Sequence, residues 1–152
     1  MMKRILLISL ALLLLCSCGS STSKASYTLA DADEVLNSGA FEGSDMAPLD
    51  SRVLSILYGI DASVITECAA YMATNTSESA DELAVFILVD EEAAIAVEEA
   101  CRLRIAAQIA VCESYCPAAI PRLEQALLSR RGNTVLLAAG DPEIIASLKD
   151  LH

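Results

Sequence analysis

Leu83-Ala84-Val85-Phe86-Ile87-Leu88-Val89 is an unbroken apolar run, and Asp90-Glu91-Glu92 follows it directly. The run has strand length and is rich in β-formers, and the polar stretch Asn75-Thr76-Ser77-Glu78-Ser79 sets it off on its amino side, so it reads as a central strand. The three acids suit the amino end of a helix, where they complement the macrodipole. Beyond them Ala94, Val97, Cys101, Ile105, Gln108 and Cys112 keep helical spacing for about five turns. A strand that feeds one long helix commits the chain to mixed α and β structure.

The flanking segments fill in the rest. Residues 65–73 alternate, with Thr66, Cys68, Ala70 and Met72 on one side and Glu67, Ala69, Tyr71 and Ala73 on the other, the pattern of a strand that pairs with the apolar run. Pro117 and Pro121 end the long helix. Leu123–Arg131 and Thr134–Ala139 are two further strands, joined by the hairpin signal Gly132-Asn133. Thr28 to Asp31 matches a capping box for a short helix carrying Val35 and Leu36, stopped at Asn37-Ser38-Gly39. A second short helix starts at Asp50, covers Val53 to Leu57 and stops at Gly59. Asp141-Pro142-Glu143 opens a last helix that carries Ile144, Ile145, Leu148 and Leu151. The expected fold is therefore α+β: two short amino-terminal helices, then β-β-α-β-β-α, with a four-stranded, mainly antiparallel sheet and the two later helices on one face. Strand order stays open.

The amino terminus bears on compartment. Lys3 and Arg4 precede a segment, Ile5 to Leu15, that is apolar except for Ser9. Its eleven residues would rise only about 16 Å as a helix, against a hydrocarbon core of about 30 Å, so it has the build of an export signal rather than a membrane span. Leu15-Cys16-Ser17-Cys18-Gly19 resembles the lipobox of bacterial lipoproteins, with an aliphatic residue at −3, a small residue at −1 and Cys at +1. Cys18 fits that pattern; Cys16 does not, because Leu15 is too bulky for −1. The resemblance implies cleavage before Cys18 and a diacylglyceryl group on its thiol. Each buried acyl CH₂ is worth about 0.8 kcal/mol, so two chains hold firmly. The expected organisation is a signal peptide over 1–17, a flexible lipid-anchored tether over 18–26 made of small polar residues, and one domain over 27–152. The expected location is the extracytoplasmic face of the cell membrane.

Loss of the signal also removes Lys3 and Arg4, which leaves eight basic residues against 21 acidic ones and a formal charge of −13. No basic cluster exceeds Arg130-Arg131, so nucleic acid is not an expected partner. The acids serve first to keep an exported domain soluble. Four cysteines remain beyond the lipobox: Cys68, Cys101, Cys112 and Cys116. The last three recur at spacings of eleven and four, near one face of a continuous helix. Three readings stay open for them, in this order: apolar core, a disulfide through Cys112 or Cys116, and metal or redox chemistry.

Tyr58-Gly59-Ile60-Asp61, Ala80-Asp81-Glu82-Leu83-Ala84-Val85-Phe86, Tyr115-Cys116-Pro117 and Gly132-Asn133-Thr134-Val135-Leu136-Leu137, in that order and spacing, resemble a family of bacterial lipoproteins known as domain of unknown function 4358. The likeness covers the chain from about Leu29 to its end. It implies an exported, lipid-anchored protein and no assigned activity. Cys116 and the alanine-heavy main helix depart from the family pattern, so the resemblance implies no role for the cysteines. Each segment also has a local reading: Tyr58-Gly59 as a helix stop, Gly132-Asn133 as a turn, and Asp81 and Glu82 as charges opening a buried strand and paired with Arg122 or Arg131.

No catalytic residue, cofactor or metal site is expected. The single histidine is the terminal His152, so no Ser-His or Cys-His pair can be drawn. Gly-x-Ser-x-Gly, His-Glu-x-x-His, a Walker loop and a dinucleotide fingerprint are missing from the sequence. With no Trp, two Phe and four Tyr, stacking platforms for sugars or bases are few. The preferred expectation is a non-catalytic binding or interaction module that meets an envelope protein or a small ligand through its sheet face or the Tyr58 and Tyr115 loops. The alternative is an envelope thiol, redox or metal-binding protein that uses Cys112 and Cys116.

Overall fold

Strands β3 (Glu82–Leu88) and β5 (Thr134–Ala139) pair antiparallel at the centre of a five-stranded sheet of order β1-β2-β3-β5-β4. The computed structural model describes residues 24–151; the expected signal peptide, Cys16, Cys18, most of the tether and His152 lie outside the described residues. Strand β2 (Ile65–Ala73) flanks β3, β4 (Leu127–Arg131) flanks β5, and every neighbouring pair is antiparallel. The expected strands at 65–73 and 134–139 form, and so does the Gly132-Asn133 turn, where Gly132 takes φ +55.

Three expectations are corrected. The sheet has a fifth strand, β1 (Met46–Pro48), which lies on the outer edge of β2. The segment expected as a strand from Leu123 begins instead as the end of a short helix, α4 (Ile120–Glu124), and extends only from Leu127. Pro121 stands in the first turn of α4, where its missing N–H costs nothing, so this proline opens a helix. The helices also cover both faces of the sheet. On one face α1 (Leu29–Leu36) and α5 (Pro142–Ser147) bring Val35 and Ile145 against Leu83, Val85, Leu136 and Ala138. On the other, α2 (Ser51–Tyr58) and α3 (Glu91–Tyr115) bring Leu54, Val97 and Cys101 against Ala84, Phe86, Val135 and Leu137. A strand covered on both sides has no polar face, which is why β3 is a continuous apolar run. Full burial of a side chain such as Phe86 or Leu83 contributes roughly 1.5–3 kcal/mol relative to exposure.

Side-chain caps set the helix ends. Asp50 accepts from the Val53 N–H at 2.8 Å to open α2, and Gly59 at φ +65 closes it. Asp90 accepts from the Ala93 N–H at 2.7 Å to open α3, and Asp141 accepts from Glu143 and Ile144 to open α5. Thr28 and Asp31 form the capping box of α1. Just before α5, a Cβ on Gly140 would stand 2.7 Å from the Ala40 carbonyl oxygen, so only glycine lets that loop approach.

Residues 24–26, the described end of the expected tether, lie against the domain. Lys24 pairs with Asp150 at 2.8 Å, and the Ala25 carbonyl accepts from Arg131 at 3.4 Å. No helix among the described residues is long and apolar enough to cross a membrane.

Candidate functional site

Helix α3 is 25 residues long and ends at Tyr115. There Gln108, Val111, Cys112 and Tyr115, with Cys116 just beyond, form one wall of a cavity of about 330 Å³. The turn from Thr76 to Ala80 and Met72 at the end of β2 form the other wall. Most of the lining is apolar, and its polar groups come from Thr76, Ser77, Ser79 and Gln108. Tyr115 is 77% exposed and stands at this cavity with its ring in solvent.

A buried charge lies directly behind it. Glu82 opens β3 on the face turned to α3, paired across the ladder with Met72, and its side chain is 2% exposed. Arg104 grips it with two bonds, Nε to Oε1 at 2.6 Å and Nη2 to Oε2 at 2.8 Å. Gln108 donates to Oε2 at 2.6 Å, and the Tyr58 hydroxyl donates to Oε1. Arg104 and Gln108 are four residues apart and so share one face of α3. Burial lowers the affinity of Arg104 for its proton, but the bonds and charge of Glu82 outweigh that and raise it. Burial, then the adjacent Glu82 charge, holds the Tyr58 hydroxyl well above the ordinary tyrosine range. The Arg104 guanidinium also lies 5.1 Å from the centre of the Tyr58 ring, which meets Phe86 edge-on. Gln108 joins this network to the cavity: it holds Glu82 and lines the wall.

The thiols occupy the same end of α3. Cys112 and Cys116 bring their Sγ atoms to 2.9 Å, and both are buried. Burial and the neighbouring Cys116 push the Cys112 thiol up to about 11. Cys101 is fully buried in the core beneath α2, and burial pushes its thiol up to about 12. Cys68 is half-buried on β2, its thiol raised by burial and by Asp50. No group of three or more Cys, His, Asp or Glu side chains suited to a metal is found among the described residues.

A second cluster pins the turn that faces α3. Asp81 is buried, paired with Arg122 at 3.1 Å and accepting from the Ser44 hydroxyl at 2.6 Å, while Ser79 Oγ accepts from the Asp81 N–H at 3.1 Å and lies 3.1 Å from Ser44 Oγ. The expected pairing of Asp81 with Arg122 is present. Glu82 takes Arg104 instead, and Arg131 lies over the Tyr27 ring and donates to the Leu151 carbonyl. Tyr58, expected in a recognition loop, is only 6% exposed and faces inward, and helices pack on both sheet faces. Tyr115 is at the surface. Sequence reasoning missed Glu82, Arg104 and Met72 as one cluster. Its signal was polar residues at 104 and 108 on a helix face that otherwise reads as core. A second hollow, of about 350 Å³ between α4, β4 and α5, has a more polar lining.

A family model described as a domain of unknown function (DUF4358) matches residues 39–140, about two thirds of the chain. The chain belongs to that family. The DUF4358 match runs from the loop after α1 to the end of β5, and so takes in the whole sheet, the cavity and the Glu82 network. Comparison with curated proteins and with solved structures found no match.

Proposed function

We propose that the chain is a lipoprotein held on the extracytoplasmic face of the cell membrane through Cys18, and that its DUF4358 domain is a non-catalytic binding module. The cavity at the carboxyl end of α3 is its recognition site. The observation that carries the reading is the character of that cavity: small-ligand sites are concave, mainly apolar and of roughly 300–1,000 Å³, with a few fixed polar groups. Gln108 is such a group, held in place by Glu82 at 2.6 Å. An envelope protein, or a small ligand with an apolar body and one group that accepts or donates a hydrogen bond, fits this lining.

The anchor supports the same arrangement. A Cβ on Gly132 would lie 3.3 Å from Ser26 Oγ and 4.0 Å from Glu91 Oε1, so Ser26, near the described amino end of the chain, lies beside the head of α3. Cys112 is 21 residues further along that helix, about 30 Å at 1.5 Å per residue. The cavity therefore lies at the end of α3 opposite Ser26.

Titrating the isotopically labelled protein with soluble cell-wall fragments and a set of small apolar amides, and following backbone amide shifts, tests the site. Shifts at Thr76 to Ala80 and Gln108 to Cys116 that vanish in Ser77→Trp support it. Ser77 is exposed, so the indole fills the mouth without disturbing the core. Shifts confined to other surfaces, or unchanged in Ser77→Trp, contradict it.

A further inference from the structure

We propose that Cys112 and Cys116 are a reversible dithiol/disulfide pair, oxidised through the cavity by a small or protein-borne disulfide. The inference goes beyond the binding role and does not depend on which ligand the cavity takes.

The two sulfurs are 2.9 Å apart, closer than the roughly 4 Å expected of unbonded sulfurs in contact and under 1 Å from the ~2.05 Å of a disulfide. Residues four apart on a helix have Cα atoms about 6 Å apart, inside the range that a disulfide bridges. Within a regular helix their Cβ atoms would still diverge. Cys116 escapes that limit because it has left the helix, at φ −149 and ψ 65, while its N–H still reaches the Cys112 carbonyl at 3.0 Å. The pair thus closes without moving the rest of α3.

Both cysteines line the cavity, so a disulfide that enters it meets them, whereas Cys101 is sealed in the core and Cys68 is on another element. No third metal-binding side chain of the Cys, His, Asp or Glu type completes a set with them among the described residues, which favours two-electron chemistry between the sulfurs over a metal site. The loop a disulfide would close is very short, so it gains little from chain entropy and stays easy to reduce.

The chemistry balances as thiol–disulfide exchange. The thiolate of Cys116, the more exposed of the two, attacks one sulfur of the incoming disulfide, whose other half leaves as a thiolate and takes up the proton. Cys112 then loses its proton and attacks Cys116 Sγ, which expels the second half as a thiol. Two S–H bonds become one S–S bond, and the oxidant's S–S bond becomes two S–H bonds. A reducing thiol reverses both steps. Burial raises the Cys112 thiol, so the second step is slow near neutrality and accelerates as pH rises.

The test uses the full chain and glutathione. Protein equilibrated in mixtures of oxidised and reduced glutathione is denatured in acid, alkylated with N-ethylmaleimide and digested with trypsin. The peptide over 105–122 carries Cys112 and Cys116 and no other cysteine, while that over 53–102 carries Cys68 and Cys101. The expected result is a 105–122 peptide lighter by two hydrogens and free of alkylation in oxidising mixtures, with 53–102 doubly alkylated throughout. Reduced glutathione should return both thiols in the folded protein, and Cys112→Ser should halt at a glutathione adduct on Cys116. A doubly alkylated 105–122 peptide at every mixture, a bridge to Cys68 or Cys101, or a disulfide that reduces only after unfolding overturns the inference. Because wild type alone decides these outcomes, a misfolded variant does not blunt the test. Failure of ligand binding is read separately from amide shifts, so the two readings fail independently.

Discussion

Glu82 is the residue on which the domain's interior depends most, because it is a charge at 2% exposure held by Arg104 at 13%. Taking away one partner of a buried pair leaves the other charge uncompensated, which costs about 3–5 kcal/mol. Arg104→Ala is therefore expected to lower the urea midpoint sharply, and the double variant Glu82→Leu with Arg104→Leu should recover much of the loss. Equal losses in single and double variants would place the stability in the packing instead. By contrast the exposed pair Lys24 with Asp150 should contribute nothing measurable. The thiols make a second prediction at this scale. Cys101 and Cys112 are neutral when protonated, and the fold raises them from 9.0 to about 12 and about 11. The unfolded chain thus gives up these protons first as pH rises. The stability Cys101 supplies is complete below about pH 9 and is lost from there toward pH 12, on the order of 1 kcal/mol per pH unit, and Cys112 acts in the same direction. Thermal melts across that window should fall steeply, and less steeply in Cys101→Ala.

At the scale of elements, local chemistry decided most of what could be read in advance. Asp50 with Gly59, Asp90, Asp141 and the Thr28 box each predicted an end that formed, because a cap acts over one turn and needs no tertiary help. Asp90→Ala should cost about 1 kcal/mol in chemical denaturation, and no loss would mean that packing alone sets the head of α3. The misses share a cause of longer range. β1 is three residues including Pro48, too short for any periodicity, and it exists because β2 offers an unpaired edge. Pro121 reads as a breaker until the turn before it is seen to start a helix. The continuous run in β3 carried the evidence of two covered faces, but which helix lies on which face depends on the connections. For the same reason Cys112 and Cys116 could be paired from their spacing, while Met72 and the 76–80 turn, from distant chain, could be brought to them only by the fold.

At the scale of the whole molecule, the sheet is a partition between two helical layers, and the cavity sits at one end of α3 with Ser26, near the described amino end of the chain, at the other. DUF4358 membership fixes the kinship of residues 39–140, and the proposed anchor rests on Cys18 and the residues around it. Intact mass and detergent partitioning of the native protein and of Cys18→Ser test that claim most directly. The account predicts a wild-type chain that begins at Cys18, carries a diacylglyceryl mass and enters the detergent phase, with the lipid mass and the partitioning both lost in the variant. A wild-type chain that retains Met1, carries no lipid and stays in the aqueous phase would contradict it.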